Sequence, residues 1–299
     1  MLKTTRTMMS SDDHAATCGQ MRLSVLASGS GGNAALLEYT LGARRHVVLI
    51  DIGISPRRLR AALTEHKLTF EDLSDVMITH FDHDHWARAW SAKPWEGPTL
   101  RLHRRHLRRA ERAGALNRRT EPFTDAFELP GGVGVHVVLN AHDDLGSAAF
   151  RFQFGQVSLG YATDLGRASD ALVETMRHVD LLAIESNYCP RLQAASARPE
   201  FLKRRVMGGH GHLSNEQCRD AVSRIEPRRQ VVLLHLSRQC NTPELAASHH
   251  AGAPYALTVS DQHRPTGWVE VGSGRPVPQV RIQPDLFDAL TPRSAEVAR

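Results

Sequence analysis

The chain has 299 residues, of which 41% are apolar, and it carries a formal net charge of +5 at pH 7. This length and composition allow a large buried core, which excludes an intrinsically disordered chain. No apolar run reaches the roughly 18 residues of a membrane-spanning helix, and the N-terminal residues lack the apolar segment of a secretory signal. The cysteines show no C-x-x-C spacing. We therefore expect free thiols and a cytoplasmic location.

Short apolar runs bounded by turn residues predict β-strands along the chain. They lie at residues 23–27, 34–39, 47–50, 76–78, 99–103, 133–139, 149–154, 157–161, 181–184, 231–234 and 267–271. Amphipathic stretches, several preceded by a capping residue such as Ser55, Ser169 or Ser214, predict α-helices. They lie at residues 57–66, 104–113, 170–177, 215–225 and 243–250. These elements alone indicate a mixed α and β protein.

A dense group of imidazoles and carboxylates follows the predicted strand at 76–78. Residues 78–87 read ITHFDHDHWA and include His80, Asp82, His83, Asp84 and His85. Such a density of titratable groups destabilises a fold unless cations compensate it, and a bound metal pair is the usual compensation. The alternative interpretation is a polar loop in which histidines cluster by chance.

The segment resembles the H-x-H-x-D-H metal loop of metallo-β-lactamase-fold hydrolases, although here it reads H-x-D-x-D-H. The resemblance implies an α/β fold built as a four-layer αβ/βα sandwich, with two divalent metal ions, zinc or manganese, or alternatively iron. Asp82 stands where the family has its second histidine, and its oxygen shifts the preference from Zn²⁺ toward Mn²⁺ or Fe²⁺. His83 either points away or supports the ligands, and a slipped register with His83 as a ligand is a further alternative.

The family's remaining site residues have matches in the same order along this chain, each after an apolar run. The resemblance implies the following ligands: His80, Asp82 and His142 for the first metal, Asp84, His85 and His235 for the second, and Asp164 between them. It also implies that Asp51 orients the metal loop and does not bind metal. Because these candidates occur together and in order, we favour the metal site over a chance cluster.

Four longer blocks are similar to the YycJ/WalJ-type subgroup, which comprises bacterial cytoplasmic proteins regarded as 5′-to-3′ exonucleases acting on DNA. The blocks are MRLSVLASGSGGNAALLE at 21–38, IESNY at 184–188, FLKRRVMGGHGHLSNEQC at 201–218 and LLHLSRQCNTPELA at 233–246. The similarity spans residues 21–272, which we expect to form one catalytic domain. We expect residues 1–20 to be a flexible extension and the proline-rich residues 273–299 to be a tail.

An arginine-rich segment bears on the substrate. Residues 101–119 carry eight arginines against one acid. On the predicted helix at 104–113, the arginines that share one broad face are Arg104, Arg105, Arg108, Arg109 and Arg112. A polynucleotide backbone would neutralise this face, whereas the alternative is a solvated basic helix.

Three further segments are candidates for phosphate contact. SGSGGN at 28–33 either approaches a terminal phosphate or is simply a tight hairpin. In GGHGHLSNE at 208–216, His212 and Ser214 resemble the H-x-S motif of related phosphodiesterases, which implies that His212 protonates the leaving oxygen. A basic group lies just before that loop. The candidate phosphate contacts are Ser30, Asn33, Lys203, Arg204, Arg205 and Ser214.

These features predict a dinuclear metal-dependent phosphodiesterase, a 5′-to-3′ exonuclease on single-stranded DNA, with Asp84 and His212 as catalytic residues. The expected partner is DNA with a 5′ phosphate and not a membrane, while the oligomeric state stays open, a homodimer included. Alternatives are a hydrolase of small esters or lactones, which has little use for the arginine face, and a tRNA-processing endoribonuclease, for which no long tRNA-gripping insertion is evident. A non-catalytic nucleic-acid-binding protein is the alternative if Asp82 weakens the first metal site.

Overall fold

The computed structural model describes residues 20–92 and 94–272. The extension predicted at residues 1–20, apart from Gln20, and the tail predicted at 273–299 lie outside the described residues. Gln20 is the first residue of the first strand, one position before the expected start of the catalytic domain.

The strands of the described residues are numbered in chain order. They are β1 (Gln20–Ala27), β2 (Ala34–Leu41), β3 (Arg44–Ile50), β4 (Leu73–Ile78), β5 (Thr99–His103), β6 (Thr120–Phe123), β7 (Ala126–Leu129), β8 (Val133–Asn140), β9 (Ser147–Phe154), β10 (Val157–Ala162), β11 (Leu181–Glu185), β12 (Gln230–Leu234), β13 (Ala256–Val259) and β14 (Val269–Val271).

The helices of the same part of the chain are short. They are α1 (Pro56–Glu65), α2 (Leu107–Arg112), α3 (Asp170–Met176), α4 (Pro190–Ala195), α5 (Glu200–Met207), α6 (Asn215–Ile225) and α7 (Pro243–Ser248), with 3-10 turns at Phe70–Asp72, Arg88–Trp90 and Arg104–His106. Ser55, Ser169 and Ser214 cap α1, α3 and α6 through their side-chain oxygens, as predicted. No helix in the described ranges is long and apolar enough to cross a membrane.

The strands form two sheets that pack face to face. One has the order β14-β1-β2-β3-β4-β5-β6, and the other has the order β13-β12-β11-β10-β9-β8-β7. Side chains alternate between the two faces of each strand, so in β3 the residues Val48 and Ile50 point into the core between the sheets. Phe150 and Phe152 of β9 meet them from the opposite sheet.

The outer face of each sheet is covered by helices. Val47 and Leu49, the alternate residues of β3, pack with Leu59 and Leu63 of α1 outside the first sheet. Helices α3, α6 and α7 cover the second sheet through an apolar cluster that includes Leu172, Val222 and Ala246. This arrangement confirms the predicted four-layer αβ/βα sandwich.

The sequence analysis missed β6, β7, β13, α4 and α5. The three strands lie at sheet edges, where one side is unpaired and the apolar alternation is weak. The two helices have only six and eight residues, too short for a clear amphipathic period. The helix predicted at 104–113 is divided into a 3-10 turn at Arg104–His106 and the α-helix Leu107–Arg112.

Candidate active site

The candidate site lies where parallel strands of both sheets end. Strand β3 runs parallel to β4, and β10, β11 and β12 run parallel to one another. Asp51 follows β3, Asp164 follows β10 and His235 follows β12, with left-handed backbone φ angles of 59°, 54° and 55°. Left-handed non-glycine residues cost roughly 1–3 kcal/mol each and concentrate at functional sites. The fold therefore holds these three side chains in a strained but defined direction.

Asp51 accepts hydrogen bonds from the segment that ends β4 and carries the predicted metal ligands. Its carboxylate accepts hydrogen bonds from the backbone N–H and hydroxyl of Thr79, at 2.8 and 3.0 Å. It also accepts a 2.6 Å hydrogen bond from Nδ1 of His85. This bond orients the ring of His85 and directs its Nε2 toward the second group of candidate ligands. Burial raises the pKa of Asp51, partly offset by His85 and Thr79.

The first predicted ligand set converges on one point. Oδ2 of Asp82 lies 3.8 Å from Nε2 of His80 and 4.0 Å from Nε2 of His142. The ring of His142 is held by a 2.9 Å hydrogen bond between its Nδ1 and the carbonyl of Gly211. The Asp82 carboxylate, which stands where the family has a histidine, thus points at the same space as the imidazoles of His80 and His142. His80, Asp82 and His142 can share one cation.

The second predicted ligand set converges beside the first. Oδ2 of Asp84 lies 3.8 Å from Nε2 of His85 and 3.4 Å from Nε2 of His235. These three residues also offer ligand atoms that lie close enough together for one cation. The loop after β4 therefore contributes candidate ligands to both sets.

Asp164 lies between the two sets. Its Oδ2 is 2.9 Å from Nε2 of His85, and its Oδ1 is 3.8 Å from Nε2 of His142. Burial would raise the pKa of Asp164, but His235 and His85 hold it well below its usual range. Burial would also lower the pKa of His85, yet Asp164 and Asp51 raise it well above the usual value. The buried carboxylates thus favour positive charge within the cluster, which protonated imidazoles or metal ions can supply.

Two buried imidazole nitrogens fit the role of metal ligands. Within the described residues, Nε2 of His80 and Nε2 of His235 have no hydrogen-bond partner. A buried polar atom left unpaired costs roughly 1–3 kcal/mol, and a bound cation would remove that cost at both atoms. The mixture of imidazole nitrogens and carboxylate oxygens suits Zn²⁺, Mn²⁺ or Fe²⁺.

Glu185, which was not predicted as a site residue, ends β11 and is fully buried beside the candidate ligands. Its Oε1 accepts a 2.6 Å hydrogen bond from Nδ1 of His212 and lies 3.3 Å from Nδ1 of His235. Burial would lower the pKa of His212, but the Glu185 carboxylate raises it. The sequence carried a signal for it, because Glu185 directly follows the apolar run at residues 181–184, as Asp51 follows the run at 47–50.

A cleft of about 360 Å³ opens onto both ligand sets. Its walls include the predicted residues Ser30, Arg205 and His212, and also Arg198 and Ser237, which were not predicted. The volume is in the range of ordinary ligand sites. The cleft thus combines the candidate metal ligands with cationic side chains.

Several predicted phosphate contacts have other partners in the structure. Asn33 is buried under the metal loop, where its amide donates to the Asp84 carbonyl at 3.2 Å and lies 3.0 Å from Nε2 of His85. The Ser214 hydroxyl is used as the cap of α6, because it accepts from Gln217 N–H at 3.2 Å. Both predictions are corrected: these side chains stabilise the site's framework and do not face the cleft.

The three basic residues at 203–205 do not all face the cleft. Lys203 donates to the carbonyl of Ala194 at 2.7 Å, and with Arg204 it lines a separate surface depression. Only Arg205 reaches the cleft, where it forms an ion pair of 2.6 Å with Asp143. Side chains of successive residues point in different directions around the axis of helix α5, so Arg205 reaches the cleft while Lys203 and Arg204 do not.

His83 and the arginine face differ from expectation in part. The side chain of His83 is 90% exposed and its Nδ1 lies 3.8 Å from Oδ1 of Asp84, so it makes no supporting hydrogen bond to a ligand.

Arg104, Arg105, Arg108 and Arg112 are exposed, as a nucleic-acid face requires. Arg109 instead turns inward and contacts Asp82, which removes it from that face.

The fold and the paired ligand sets define a protein of the metallo-β-lactamase fold. A profile described as "Beta-lactamase superfamily domain" matches residues 46–236, and the chain belongs to this superfamily. It is 28% identical over 232 residues to exodeoxyribonuclease WalJ of Streptococcus pneumoniae, which covers 75% of this chain and 85% of that protein. It is 25% identical over 231 residues to exodeoxyribonuclease YycJ of Bacillus anthracis, covering 76% of this chain and 86% of that one.

A solved structure supports the same fold. The metallo-beta-lactamase fold protein YhfI of Bacillus subtilis superimposes with a TM-score of 0.62 at 15% identity, over 84% of this chain and 99% of that one. The family and the subgroup resemblance predicted from the sequence are confirmed.

Proposed function

We propose that this protein is a metal-dependent exodeoxyribonuclease that removes nucleotides from the 5′ end of single-stranded DNA. The observation that carries the proposal is the convergence of two ligand sets beside one cleft that also contains Arg198 and Arg205. The similarity to the exodeoxyribonucleases WalJ and YycJ supports DNA as the substrate class. The exposed arginines of α2 and the preceding turn add a surface on which a longer strand can lie.

Each ligand set would hold one divalent cation. The first would be held by His80, Asp82 and His142, the second by Asp84, His85 and His235, with Asp164 between the two. Two such cations would lower the pKa of an attacking water and offset the charge that develops on a phosphodiester. The carboxylate of Asp82 makes manganese or iron suitable besides zinc.

His212 is the proposed proton donor. Its Nδ1 donates to Glu185, so Nε2 is the ring nitrogen that remains to protonate the departing 3′ oxygen of the terminal nucleotide. Glu185 holds the ring in one orientation and stabilises its protonated form, as the aspartate does in a catalytic triad. His212 lines the cleft, where a reacting phosphodiester would lie.

Arg198 is the side chain that we propose for binding the 5′ phosphate. Its guanidinium is positioned by Gln239, Gln193 and Ser237, at 3.0, 3.2 and 3.3 Å. These partners are neutral, so they orient the positive charge without cancelling it. Arg205, by contrast, is paired with Asp143. A planar guanidinium with free charge is well suited to a terminal phosphate.

The test is degradation of 5′-phosphorylated single-stranded DNA, labelled at either end, in the presence of Mn²⁺, Zn²⁺ or EDTA. We expect stepwise release of mononucleotides from the 5′ end, abolished by EDTA and by Asp84→Ala. The matched control is Asp170→Ala, because Asp170 is 94% exposed on α3 and does not line the cleft, and this variant should retain activity. Absence of cleavage with every metal would contradict the proposal.

Counter-substrates separate this proposal from the alternatives. A nuclease should show rates that increase with strand length, because the basic surface contributes only to long substrates. Small esters and lactones should be poor substrates, and precursor tRNA should not be cleaved internally. Turnover of small esters with no activity on DNA would instead support the small-ester hydrolase.

We also propose a cytoplasmic location. Cys189, Cys218 and Cys240 are free and buried in the structure. Unpaired cysteines are usual in a reducing compartment. Cell fractionation checks this directly, and recovery in the culture medium would contradict it.

A further inference from the structure

Arg109 contacts both loops that carry the ligands of the first set. Its Nη1 lies 3.2 Å from Oδ1 of Asp82, in the loop after β4. Its Nη2 lies 2.6 Å from Oδ1 of Asp144, which is two residues beyond His142 in the loop after β8. Arg109 belongs to α2, which packs against the first sheet through Ala110. The Arg109 side chain therefore connects helix α2 to the loop after β4 in the first sheet and to the loop after β8 in the second sheet.

The two oxygens of Asp82 have different partners. Oδ1 is the oxygen that Arg109 holds, whereas Oδ2 is the oxygen that faces His80 and His142. A histidine in this position would offer one donor atom to a cation, but an unrestrained carboxylate can offer two. Because Arg109 holds Oδ1, Asp82 presents a single oxygen to the site. It can thus replace an imidazole without changing the number of ligand atoms.

The ion pair also balances charge. An aspartate adds a negative charge that a neutral imidazole does not carry, and Arg109 supplies a permanent positive charge next to it. The side chains of Arg109 and Asp82 are 30% and 26% exposed, so water screens the pair only in part. Asp144 is more exposed, at 69%, and anchors the other end of the guanidinium.

We propose that Arg109 is the positioning residue of the first metal site, where it makes Asp82 a one-oxygen ligand and holds the loops of Asp82 and His142 together. This inference rests on the proposed metal site and assigns a residue to it beyond the ligands. It also gives the reason why Arg109 differs from the exposed arginines of the same segment.

The test is calorimetric titration of the full chain with Mn²⁺ alone and with Zn²⁺ alone. We expect two ions per chain for the unmodified protein. Arg109→Met should weaken one of the two sites by about 10- to 100-fold and leave the other unchanged, as is typical when a residue that orients a ligand is removed. The matched control is Arg108→Met, since Arg108 is the exposed neighbour in α2 and should bind both ions normally.

The same Arg109 substitution in an Asp82→His variant distinguishes a role in orienting Asp82 from a general structural role. Asp82→His removes the carboxylate and leaves the charge of Arg109 beside the site. In that background, adding Arg109→Met should strengthen binding of the first ion, the reverse of its effect beside Asp82. A purely structural role would weaken the site in both backgrounds. The visible absorption of bound Co²⁺ reports the coordination of each variant independently of activity.

The outcomes are distinguishable. If the unmodified protein binds no ion, the proposed function fails and this inference fails with it. If it binds two ions and Arg109→Met leaves both affinities unchanged or increases them, the proposed function stands and the role of Arg109 is overturned. If Arg109→Met weakens one site in the Asp82 protein and strengthens it in the Asp82→His protein, the role is supported.

Discussion

Glu185 accepts a 2.6 Å hydrogen bond from Nδ1 of His212, through the same oxygen that lies 3.3 Å from Nδ1 of His235. Its other oxygen accepts from the backbone N–H groups of Leu165 and Leu213, at 2.7 and 3.2 Å. Burial would raise the pKa of Glu185, but the charge and hydrogen bond of His212 and the hydrogen bond of His235 lower it, which favours the ionised carboxylate. One buried charge thus joins the proposed proton donor to a proposed metal ligand.

Replacing this charge tests the role of His212. We expect Glu185→Gln to lower kcat on DNA by about 100-fold or more, with little change in KM, because a neutral amide neither orients the imidazole in the same way nor stabilises its protonated form. Steady-state kinetics measure both constants, and a metal count checks that His235 still functions. Glu174→Gln is the control, since Glu174 is an exposed carboxylate on α3. A large change in KM at constant kcat would refute the assignment.

Asp51 is expected to control metal affinity without contacting the metal. Asp51→Asn removes the charged acceptor for Nδ1 of His85, so the ring can adopt the wrong tautomer. We expect the second site to lose about 10- to 100-fold in affinity. Competition with a chelator measures the change. Asp170→Asn, at a carboxylate that is 94% exposed, is the control, and equal affinities for Asp51→Asn and the unmodified protein would count against the role.

Arg198 is expected to determine substrate binding. Hydrogen bonds to charged groups contribute about 1.5–3 kcal/mol, so Arg198→Gln should raise KM for 5′-phosphorylated DNA by about 10- to 100-fold. Its effect should be much smaller on DNA with a 5′ hydroxyl. Arg191→Gln, on the exposed side of α4, should behave like the unmodified protein. An equal loss on both substrates would show that Arg198 does not read the 5′ phosphate.

His250 is expected to make the fold sensitive to acid. It is buried and lies 2.7 Å from the Tyr255 hydroxyl, and burial lowers its pKa to about 4. In the unfolded chain its pKa is about 6.5, so between these values the unfolded state binds a proton that the folded state does not. The free energy of unfolding should therefore fall as the pH drops from about 6.5 to 4.

The difference between variants isolates this effect. His250→Gln should show a smaller decrease in its urea midpoint between pH 7 and pH 4.5 than the unmodified protein shows. His263→Gln, at an exposed histidine, should not differ from it. If His250→Gln has the same pH dependence as the unmodified protein, the acid sensitivity arises elsewhere.

The central strands of the fold could be predicted because they are buried on both faces. Strands β3, β11 and β12 each contain a run of four buried apolar residues, which is typical of parallel strands inside a layered protein. The edge strands could not be found in this way, since β6 contains Pro122 and has few buried residues. The periodicity of apolar residues does not show which strands pair with each other. The four-layer arrangement could therefore be predicted only from the resemblance to metallo-β-lactamase-fold hydrolases.

The candidate ligands could be found for a related physical reason. Each comes after a strand, and the fold brings those strand ends together. Contacts that depend on side-chain direction could not be predicted. The sequence does not show that the Asn33 amide contacts His85 or that Arg109 turns toward Asp82. The directions of these side chains depend on how the elements pack. Arg198 was missed because its loop has no strand before it.

The most direct test of the two-site account is anomalous diffraction from crystals of the protein soaked in Mn²⁺. We expect two peaks about 3.5–4 Å apart, one among His80, Asp82 and His142 and the other among Asp84, His85 and His235. Asp164 should lie between the peaks. A single peak, or none at these residues, would contradict the account.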